Sequence, residues 1–231
     1  FVNCSSLARR GGTLYDPFCG TGTVLVEGLL SGYQVVGSDA NPLARLIASA
    51  KTTYMDLDQT ADLITAVAER AKTTDSAEFQ PVVDVNKWFE AGTKIQLGRL
   101  RSALDEVKDD RQKQFAQVAF SQTVRKVSLA DPRMSVPVRS KRDHRETPDV
   151  LATFKRIAST NSVRVSLLPK DSRPVAIGCD ARVPIGDTAP GGLADLIITS
   201  PPYAGAQKYI RASSLSLGWL GIVPEARLRT L

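Results

Sequence analysis

The chain has 231 residues, of which 42% are hydrophobic and 23% charged, with a formal net charge of +6, and this composition is typical of a globular protein with an apolar core. No apolar run approaches the length of a membrane span and no basic leader precedes one, so we expect a cytoplasmic protein without membrane segments. The three cysteines are widely separated and no Cys/His cluster accompanies them, which argues against a disulfide framework and a metal site.

The first predicted element is a short strand that ends in a glycine-rich turn. Residues 13–15 lead into Asp-Pro-Phe-Cys-Gly-Thr-Gly-Thr over 16–23, and an apolar helix start follows. Gly20 and Gly22 can adopt backbone angles that other residues avoid, so the backbone can approach a ligand and helix-start amides can face it. The turn lacks the Gly-Lys-Ser/Thr of a triphosphate loop, and Leu25 stands where a dinucleotide fingerprint needs glycine.

A second strand, over residues 34–39, follows the first helix and ends in Asp39. Strand, glycine turn, helix and a strand with a terminal acid are typical of the opening of a doubly wound α/β sheet. Downstream, the spacing of apolar residues predicts helical segments at 58–72, 84–110, 110–127 and 149–160, separated by a basic loop at 128–147 that prolines interrupt.

The positive charge is concentrated in the middle of the chain. Residues 120–170 carry eleven Lys and Arg against four acidic residues, a net charge of +7, and the remainder carries −1. A basic segment beside a near-neutral remainder fits a polyanionic partner, although charge runs are also typical of solvated surfaces.

Two further strands are predicted near the end of the chain. The third, over 174–180, ends in Asp180, and the fourth, over 195–199, leads into Ser-Pro-Pro-Tyr at 200–203. Because parallel strands end at one edge of a sheet, the polar residues that follow these strands are expected to lie there together. Four strands are few for this class, so we expect a truncated domain or a fragment.

The motif at 16–23 and the Ser-Pro-Pro-Tyr at 200–203 together resemble the signature of amino-group DNA methyltransferases that use S-adenosylmethionine. The resemblance covers about residues 13–55 and 173–221. It implies a Rossmann-like doubly wound sheet of the class I methyltransferase type, with a helical insertion between the second and third strands. The implied domains are a cofactor-binding first half at 1–57, a mostly helical insertion with a basic loop at 58–170, and a second half at 171–231.

The resemblance implies a site for S-adenosylmethionine at the strand ends. The glycine turn would curve around the methionine part with Asp16 near its ammonium group, Asp39 would accept the ribose hydroxyls, and Asp180 would accept the adenine amine. Asp39 could instead be an ordinary helix cap, and Asp180 could simply open a turn. No metal ion is expected, and the predicted cofactor-binding residues are Asp16, Pro17, Phe18, Gly20, Gly22, Thr23, Asp39, Ala40 and Asp180.

The predicted catalytic residues are Ser200, Pro201, Pro202 and Tyr203. An exocyclic base amine is a poor nucleophile because its lone pair is delocalised into the ring, and hydrogen-bond acceptors can orient it. The resemblance assigns that role to the Ser200 hydroxyl and the Pro201 carbonyl, with Tyr203 stacking on a flipped base. Consecutive prolines would stiffen the turn, although they could also mark an ordinary loop after a buried strand.

The resemblance implies double-stranded DNA as substrate. Ser200 stands where adenine enzymes generally carry Asp or Asn, which favours cytosine N4 over adenine N6, and no Pro-Cys pair supports C5 methylation. Such an enzyme would fit DNA methylation in restriction-modification. The alternatives are an RNA guanine-N2 methyltransferase and a non-catalytic nucleic-acid-binding module. The predicted nucleic-acid-binding residues are Arg125, Lys126, Arg139, Lys141, Arg142, Lys208 and Arg211.

Overall fold

The chain forms two compact units. The computed structural model describes residues 11–74, 81, 84–139, 147–171, 175–182, 193–201 and 208–222, with the backbone alone for 208–210. The sheet unit contains residues 1–56 and 163–204, and the helical unit contains residues 57–162 and 205–231. The domain boundaries that the sequence predicts, after residues 57 and 170, stay a prediction.

The described part of the sheet unit is built on four parallel strands. They are β1 (Thr13–Asp16), β2 (Gln34–Ser38), β3 (Ala176–Gly178) and β4 (Leu196–Ile197). Their order in the sheet is β3-β2-β1-β4. The chain therefore adds strands first on one side of β1 and then on the other. The carboxyl ends of β1 and β4 flank the position where the order reverses, which is where open α/β sheets bind ligands.

Two helices of the sheet unit follow its first two strands, α1 (Thr23–Leu30) after β1 and α2 (Pro42–Lys51) after β2. The side chain of Asn41 caps the first amides of α2. Gly28 lets α1 lie close to β2, since a Cβ there would be 2.7 Å from Cγ1 of Val35. The buried apolar side chains of this unit include Leu14, Leu25, Val35, Val36, Leu43 and Ala48.

The helical unit contains amphipathic helices whose apolar faces pack on one another. They are α3 (Leu57–Thr73), α4 (Val85–Trp88), α5 (Ala91–Asp105), α6 (Asp110–Val127), α7 (Val150–Val165, in this unit as far as Ser162) and α8 (Lys208–Leu220). Contacts join α3 to α5, α5 to α6, and α6 to α8. Large side chains buried in this unit include Leu97, Leu100, Leu104, Phe120, Val124, Phe154 and Trp219.

The predicted α/β fold of the class I methyltransferase type is confirmed: a parallel four-stranded sheet carries several helices between β2 and β3. The predicted helical segment at 84–110 is two helices, α4 and α5, because the backbone is extended at Phe89 and at Glu90. The third and fourth strands are shorter than predicted. Within the described residues, no helix is both long and apolar enough to cross a membrane.

Candidate active site

The glycine turn and the Ser200-Pro201 turn leave neighbouring strands at the same edge of the sheet. In the parallel pairing of β1 and β4, Tyr15 lies opposite Ile197. The amide of Ile198 then donates to the carbonyl of Tyr15 at 3.2 Å. Tyr15 directly precedes Asp16, and Ile198 lies two residues before Ser200. The two motifs of the sequence therefore begin side by side, at the position where the strand order reverses.

The glycine turn uses its two glycines differently. Gly20 and Gly22 have φ angles of 51° and 78°, in the left-handed region that favours glycine. A Cβ on Gly22 would lie 2.9 Å from Cβ of Ala48, so α2 packs directly against the turn at this point. A Cβ on Gly20 would meet no atom within 4 Å. Gly22 thus closes the turn against the protein, and Gly20 leaves a space that a ligand can enter.

Asp39 fastens the glycine turn to the end of β2. Its carboxylate accepts the amide of Gly20 at 2.9 Å through Oδ2 and the amide of Asn41 at 2.8 Å through Oδ1. The guanidinium of Arg45 donates to the carbonyls of Asp39 and Ala40, at 2.7 Å and 3.1 Å. Asp39 therefore has a structural task beyond the predicted contact with ribose, and each carboxylate oxygen keeps acceptor capacity for a ligand.

Asp16 is almost fully buried at the end of β1. Its carboxylate accepts the amide of Phe18 at 3.1 Å. Burial raises the pKa of Asp16 above its ordinary value of 3.8, the hydroxyl of Thr199 and the amide of Phe18 lower it, and the charge of Asp39 raises it. Asp16 and Asp39 thus place two interacting carboxylates beside the glycine turn, where a ligand cation would be attracted.

Hydroxyl groups at the ends of β1 and β2 form hydrogen bonds near Pro17 of the glycine turn. The hydroxyl of Ser38, at the end of β2, donates to the carbonyl of Pro17 at 2.8 Å and lies 3.2 Å from the hydroxyl of Tyr15. Ser38, Arg45 and Thr199 are not among the site residues that the sequence predicts. Ser38 and Thr199 each adjoin a predicted site residue. Their sequence pattern, a polar residue at the end of an apolar strand, could have indicated that they also belong to the site.

Cys19 lies inside the glycine motif but is a poor nucleophile. Burial, followed by the negative charges of Asp39 and Asp16, raises the pKa of its thiol from 9.0 to about 12. The thiol therefore stays protonated at neutral pH, and its place beneath Gly37 indicates a packing function.

Asp180 follows β3 at the same edge of the sheet, where Asp39 donates its amide to the carbonyl of Gly178 at 3.1 Å. Both carboxylate oxygens of Asp180 accept from Arg182, and the shortest of these contacts is 2.7 Å. These bonds lower the pKa of Asp180 from 3.8 to about 2. Arg182 thus holds the side chain of Asp180, which was predicted to accept the adenine amine. Arg182 would have to move before that contact could form.

The remaining predicted residues of the edge are placed as follows. Pro17 is half-buried, Phe18 is 39% exposed, and Thr23 opens α1 with an exposed side chain. Ser200 and Pro201 are exposed just beyond β4. Pro202 and Tyr203 lie outside the described residues. The structure therefore brings together, at one edge of the sheet, the residues predicted to bind the cofactor and the first two residues of the predicted catalytic motif.

The residues predicted to bind nucleic acid belong to the helical unit. Lys126, Arg139 and Arg211 are exposed, while Arg125 is half-buried and donates to the carbonyls of Asp131 (3.4 Å) and Met134. Arg125 thus holds the turn after α6. Lys141 and Arg142 lie outside the described residues, as does the side chain of Lys208.

Comparisons with known proteins agree on one class of enzyme. The family model described as an RMKL-like methyltransferase domain matches residues 1–94. The type II methyltransferase M.MvaI of Kocuria varians is 28% identical over 230 residues, which cover 90% of this chain and 51% of that protein. A probable tRNA (guanine(10)-N2)-dimethyltransferase of Methanothermococcus thermolithotrophicus is 53% identical over 38 residues, 16% of this chain and 23% of that protein.

The chain thus spans about half the length of the type II methyltransferase. No solved structure matches it. The family model and both relatives carry methyltransferase descriptions, and the family match includes the whole glycine turn and both carboxylates beside it. These similarities support a methyltransferase built on the α/β fold described above.

Proposed function

We propose that this chain carries the methyl-transfer site of a DNA methyltransferase, which moves a methyl group from S-adenosylmethionine to the exocyclic amine of a flipped base, with cytosine N4 favoured over adenine N6. The observation that carries the proposal is the junction of the two turns. The glycine turn and Ser200-Pro201 leave adjacent parallel strands, and the amide of Ile198 donates to the carbonyl of Tyr15 between them at 3.2 Å. A donor and an acceptor bound by these turns would lie side by side.

The residues of the glycine turn fit the methyl donor, which the methyltransferase similarities imply. The space beside Gly20 admits a ligand, and the carboxylates of Asp16 and Asp39 suit a group with an ammonium and hydroxyl donors. Phe18 is exposed beside them and offers an apolar contact. Pro17, Gly22, Thr23 and Ala40 would shape the backbone around the bound cofactor. When bound there, the cofactor supplies an electrophilic methyl group.

The catalytic turn would orient the amine. The hydroxyl of Ser200 and the carbonyl of Pro201 can each accept one N–H of the amine, and this favours pyramidal geometry as positive charge grows on the nitrogen. Transfer would form the nitrogen–carbon bond while the sulfur–methyl bond of the donor breaks and its electron pair stays on sulfur, and the amine would then release one proton to water. Pro202 would hold the Pro201 carbonyl in place, and Tyr203 would stack on the flipped base.

The choice of DNA rests on Ser200, on the basic segment at 120–170, and on the alignment of most of this chain with a type II methyltransferase. A second candidate is methylation of guanine N2 in RNA. The short, high-identity match to a probable tRNA methyltransferase favours that candidate, because it shows that similar sequence also occurs in such enzymes.

Labelled methyl transfer tests the proposal. The chain is incubated with methyl-labelled S-adenosylmethionine and either double-stranded DNA or transfer RNA, and the products are digested to nucleosides. We expect label in N4-methylcytosine from DNA. Label in N6-methyladenine would reverse the base preference, label in RNA alone would establish the second candidate, and no label in either substrate would refute the methyltransferase proposal.

A serine pair ties the signal to this site. Ser200→Ala removes one acceptor from the amine, and we expect kcat to fall about 100-fold. Ser159→Ala is the matched control, because Ser159 is an exposed residue of α7 in the helical unit. Equal activity of Ser200→Ala and the unmodified chain would remove Ser200 from the mechanism.

A further inference from the structure

Ser38 holds the backbone of the glycine turn on both sides of Phe18. Its hydroxyl donates to the carbonyl of Pro17 at 2.8 Å, and its own carbonyl accepts the amide of Cys19 at 2.9 Å. Phe18, between these two contacts, donates its amide to the carboxylate of Asp16 at 3.1 Å. The peptide group between Pro17 and Phe18 is therefore hydrogen-bonded at its oxygen and at its nitrogen, and these two bonds fix its orientation.

Tyr15 supports the hydroxyl of Ser38. A hydroxyl carries one proton, and the proton of Ser38 is donated to the carbonyl of Pro17, which can only accept. The hydroxyl of Tyr15 lies 3.2 Å from that of Ser38 and is therefore the donor between the two. Tyr15 thus donates to Ser38 and Ser38 donates to Pro17, and the bonds of such a chain strengthen one another.

These bonds hold the part of the turn that a ligand can reach. Phe18 is 39% exposed, whereas Ser38 is 3% exposed and is closed to a ligand. Two residues after Phe18, a Cβ on Gly20 would meet no atom within 4 Å. The backbone that carries the accessible ring is thus held by a buried serine.

We propose that Ser38 is a positioning residue, whose hydroxyl, supported by Tyr15, fixes the peptide group before Phe18 and so presents the glycine turn to S-adenosylmethionine in its binding orientation. The inference rests on the proposed function, because it assigns Ser38 a task at that cofactor site. Ser38 acts through the backbone of the turn and contacts no reactant in this scheme. Without its hydroxyl the peptide group could rotate, and the apparent affinity would fall with the fraction of molecules in the binding orientation.

Variants at position 38 separate the hydroxyl from the rest of the side chain. Ser38→Ala removes the hydroxyl, and Ser38→Thr keeps it. We expect Ser38→Ala to raise both the Kd and the KM for S-adenosylmethionine about 10-fold, with kcat at saturating cofactor lowered less than about threefold, because the lost interaction serves binding. Ser38→Thr should stay close to the unmodified chain. If the alanine variant does not fold, Ser38→Cys, which keeps the size and is only a weak donor, should show the same rise in Kd.

Ser121→Ala is the matched control. Ser121 of α6 is 2% exposed and donates its hydroxyl to the carbonyl of Val118 at 2.8 Å, so its replacement removes a buried hydrogen bond of the same kind in the helical unit. We expect this variant to lose stability as Ser38→Ala does and to keep the Kd for S-adenosylmethionine. An equal rise in Kd for the two variants would overturn the inference, because general destabilisation would then explain the effect.

Tyr15→Phe tests the chain of hydroxyls. It removes the donor to Ser38 and leaves the bond from Ser38 to Pro17. We expect the Kd for S-adenosylmethionine to rise about threefold when Ser38 is present, and not to rise further when Ser38→Ala is already in the chain. The same rise in both backgrounds would show that Tyr15 does not act through Ser38.

Hydrogen exchange of the free protein follows the turn without any cofactor. Ser38→Ala should speed exchange in a peptide covering residues 16–22, and Ser38→Thr and Ser121→Ala should leave it unchanged. Unchanged exchange in Ser38→Ala would show that the hydroxyl does not hold the turn.

The outcomes distinguish this inference from the proposed function. If the unmodified chain binds S-adenosylmethionine and methylates nucleic acid, but Ser38→Ala matches it in Kd and exchange, the positioning task is refuted and the enzyme remains. Equal rises in Kd for the alanine and threonine variants also refute the inference, because the hydroxyl would then not be the active group. If the unmodified chain neither binds the cofactor nor transfers a methyl group, the proposed function fails and the inference fails with it.

Discussion

At the scale of single residues, the glycine turn separates stability from ligand access. Gly22 faces Ala48 so closely that even a methyl group would collide with it, and Gly20 faces open space. Both have positive φ angles, so a substitution at either position strains the backbone. Only at Gly22 does a packing collision add to that strain.

Two alanine variants test this separation. Gly22→Ala combines backbone strain with the contact to Ala48, and we expect the free energy of unfolding to fall by about 3 kcal/mol. Gly20→Ala carries the strain alone, and we expect a loss of about 1 kcal/mol together with a clear rise in the Kd for S-adenosylmethionine. Urea unfolding and calorimetric titration measure the two quantities. Equal stability losses for the two variants would contradict the assignment of Gly22 to packing.

At the scale of elements, the aromatic residues of the helical unit build its core. Trp219 of α8 is 2% exposed and meets the ring of Phe89 edge to face, with centroids 5.6 Å apart. The ring of Phe120, on α6, lies 6.3 Å from it in a similar orientation. These contacts pack Trp219 against other aromatic side chains of the helical unit. Trp88 is half-buried, with the ammonium of Lys87 5.1 Å from its ring centre.

The two tryptophans should therefore differ in their effect on stability. Replacing Trp219 with alanine leaves a large cavity between α6 and α8, and we expect a loss of about 4 kcal/mol in the free energy of unfolding. Trp88→Ala removes a half-buried ring and should cost about 1 kcal/mol. Chemical denaturation followed by circular dichroism measures both changes. A small loss at Trp219 would show that the aromatic cluster contributes little to folding.

The elements show where sequence patterns suffice. Helix α6 spans Asp110–Val127, the range that its apolar periodicity predicts, because an amphipathic face and the cap at Asp109 are properties of the local sequence. Strand β3 is shorter than its predicted range of 174–180, and β4 is shorter than 195–199. Among the described strands, β3 pairs with β2 alone and β4 with β1 alone, and the length of such a strand depends on pairing with a distant segment.

In the candidate site, too, some features follow from local sequence and others depend on contacts between distant segments. The backbone character of Gly20 and Gly22 and the placement of Asp39 at a strand end follow from local sequence. The hydrogen bond between Ile198 and Tyr15, which brings the two turns together, does not, because it joins positions far apart in the chain and depends on the order of the strands. The bonds from Arg182 to Asp180 were likewise not foreseen, although the two residues are close in sequence.

At the scale of the whole molecule, the concentration of positive charge in residues 120–170 favours a polyanionic partner. Its members are not equivalent. The guanidinium of Arg125 donates hydrogen bonds to carbonyls of the turn after α6, whereas Lys126 is exposed. Phosphate contacts are therefore expected from Lys126, and a structural task from Arg125.

Salt-dependent binding tests this division. For Lys126→Ala we expect weaker binding to double-stranded DNA and a decrease of about 1 in the magnitude of the slope of log K against log salt, since one phosphate contact is lost. Lys108→Ala, which changes an exposed lysine outside the basic segment, should leave the slope unchanged. Fluorescence anisotropy at several salt concentrations measures the slope. The same slope for both variants would show that Lys126 contacts no phosphate.

The hydrogen bonds around Asp39 have a thermodynamic consequence for any ligand of the glycine turn. The amides of Gly20 and Asn41 are held by one carboxylate, and the amide of Cys19 donates to the carbonyl of Ser38 at 2.9 Å. These bonds form within the chain, so folding has already removed the conformational entropy of the turn. A molecule that enters beside Gly20 meets a preorganised surface, and little of its binding free energy is lost to ordering the loop.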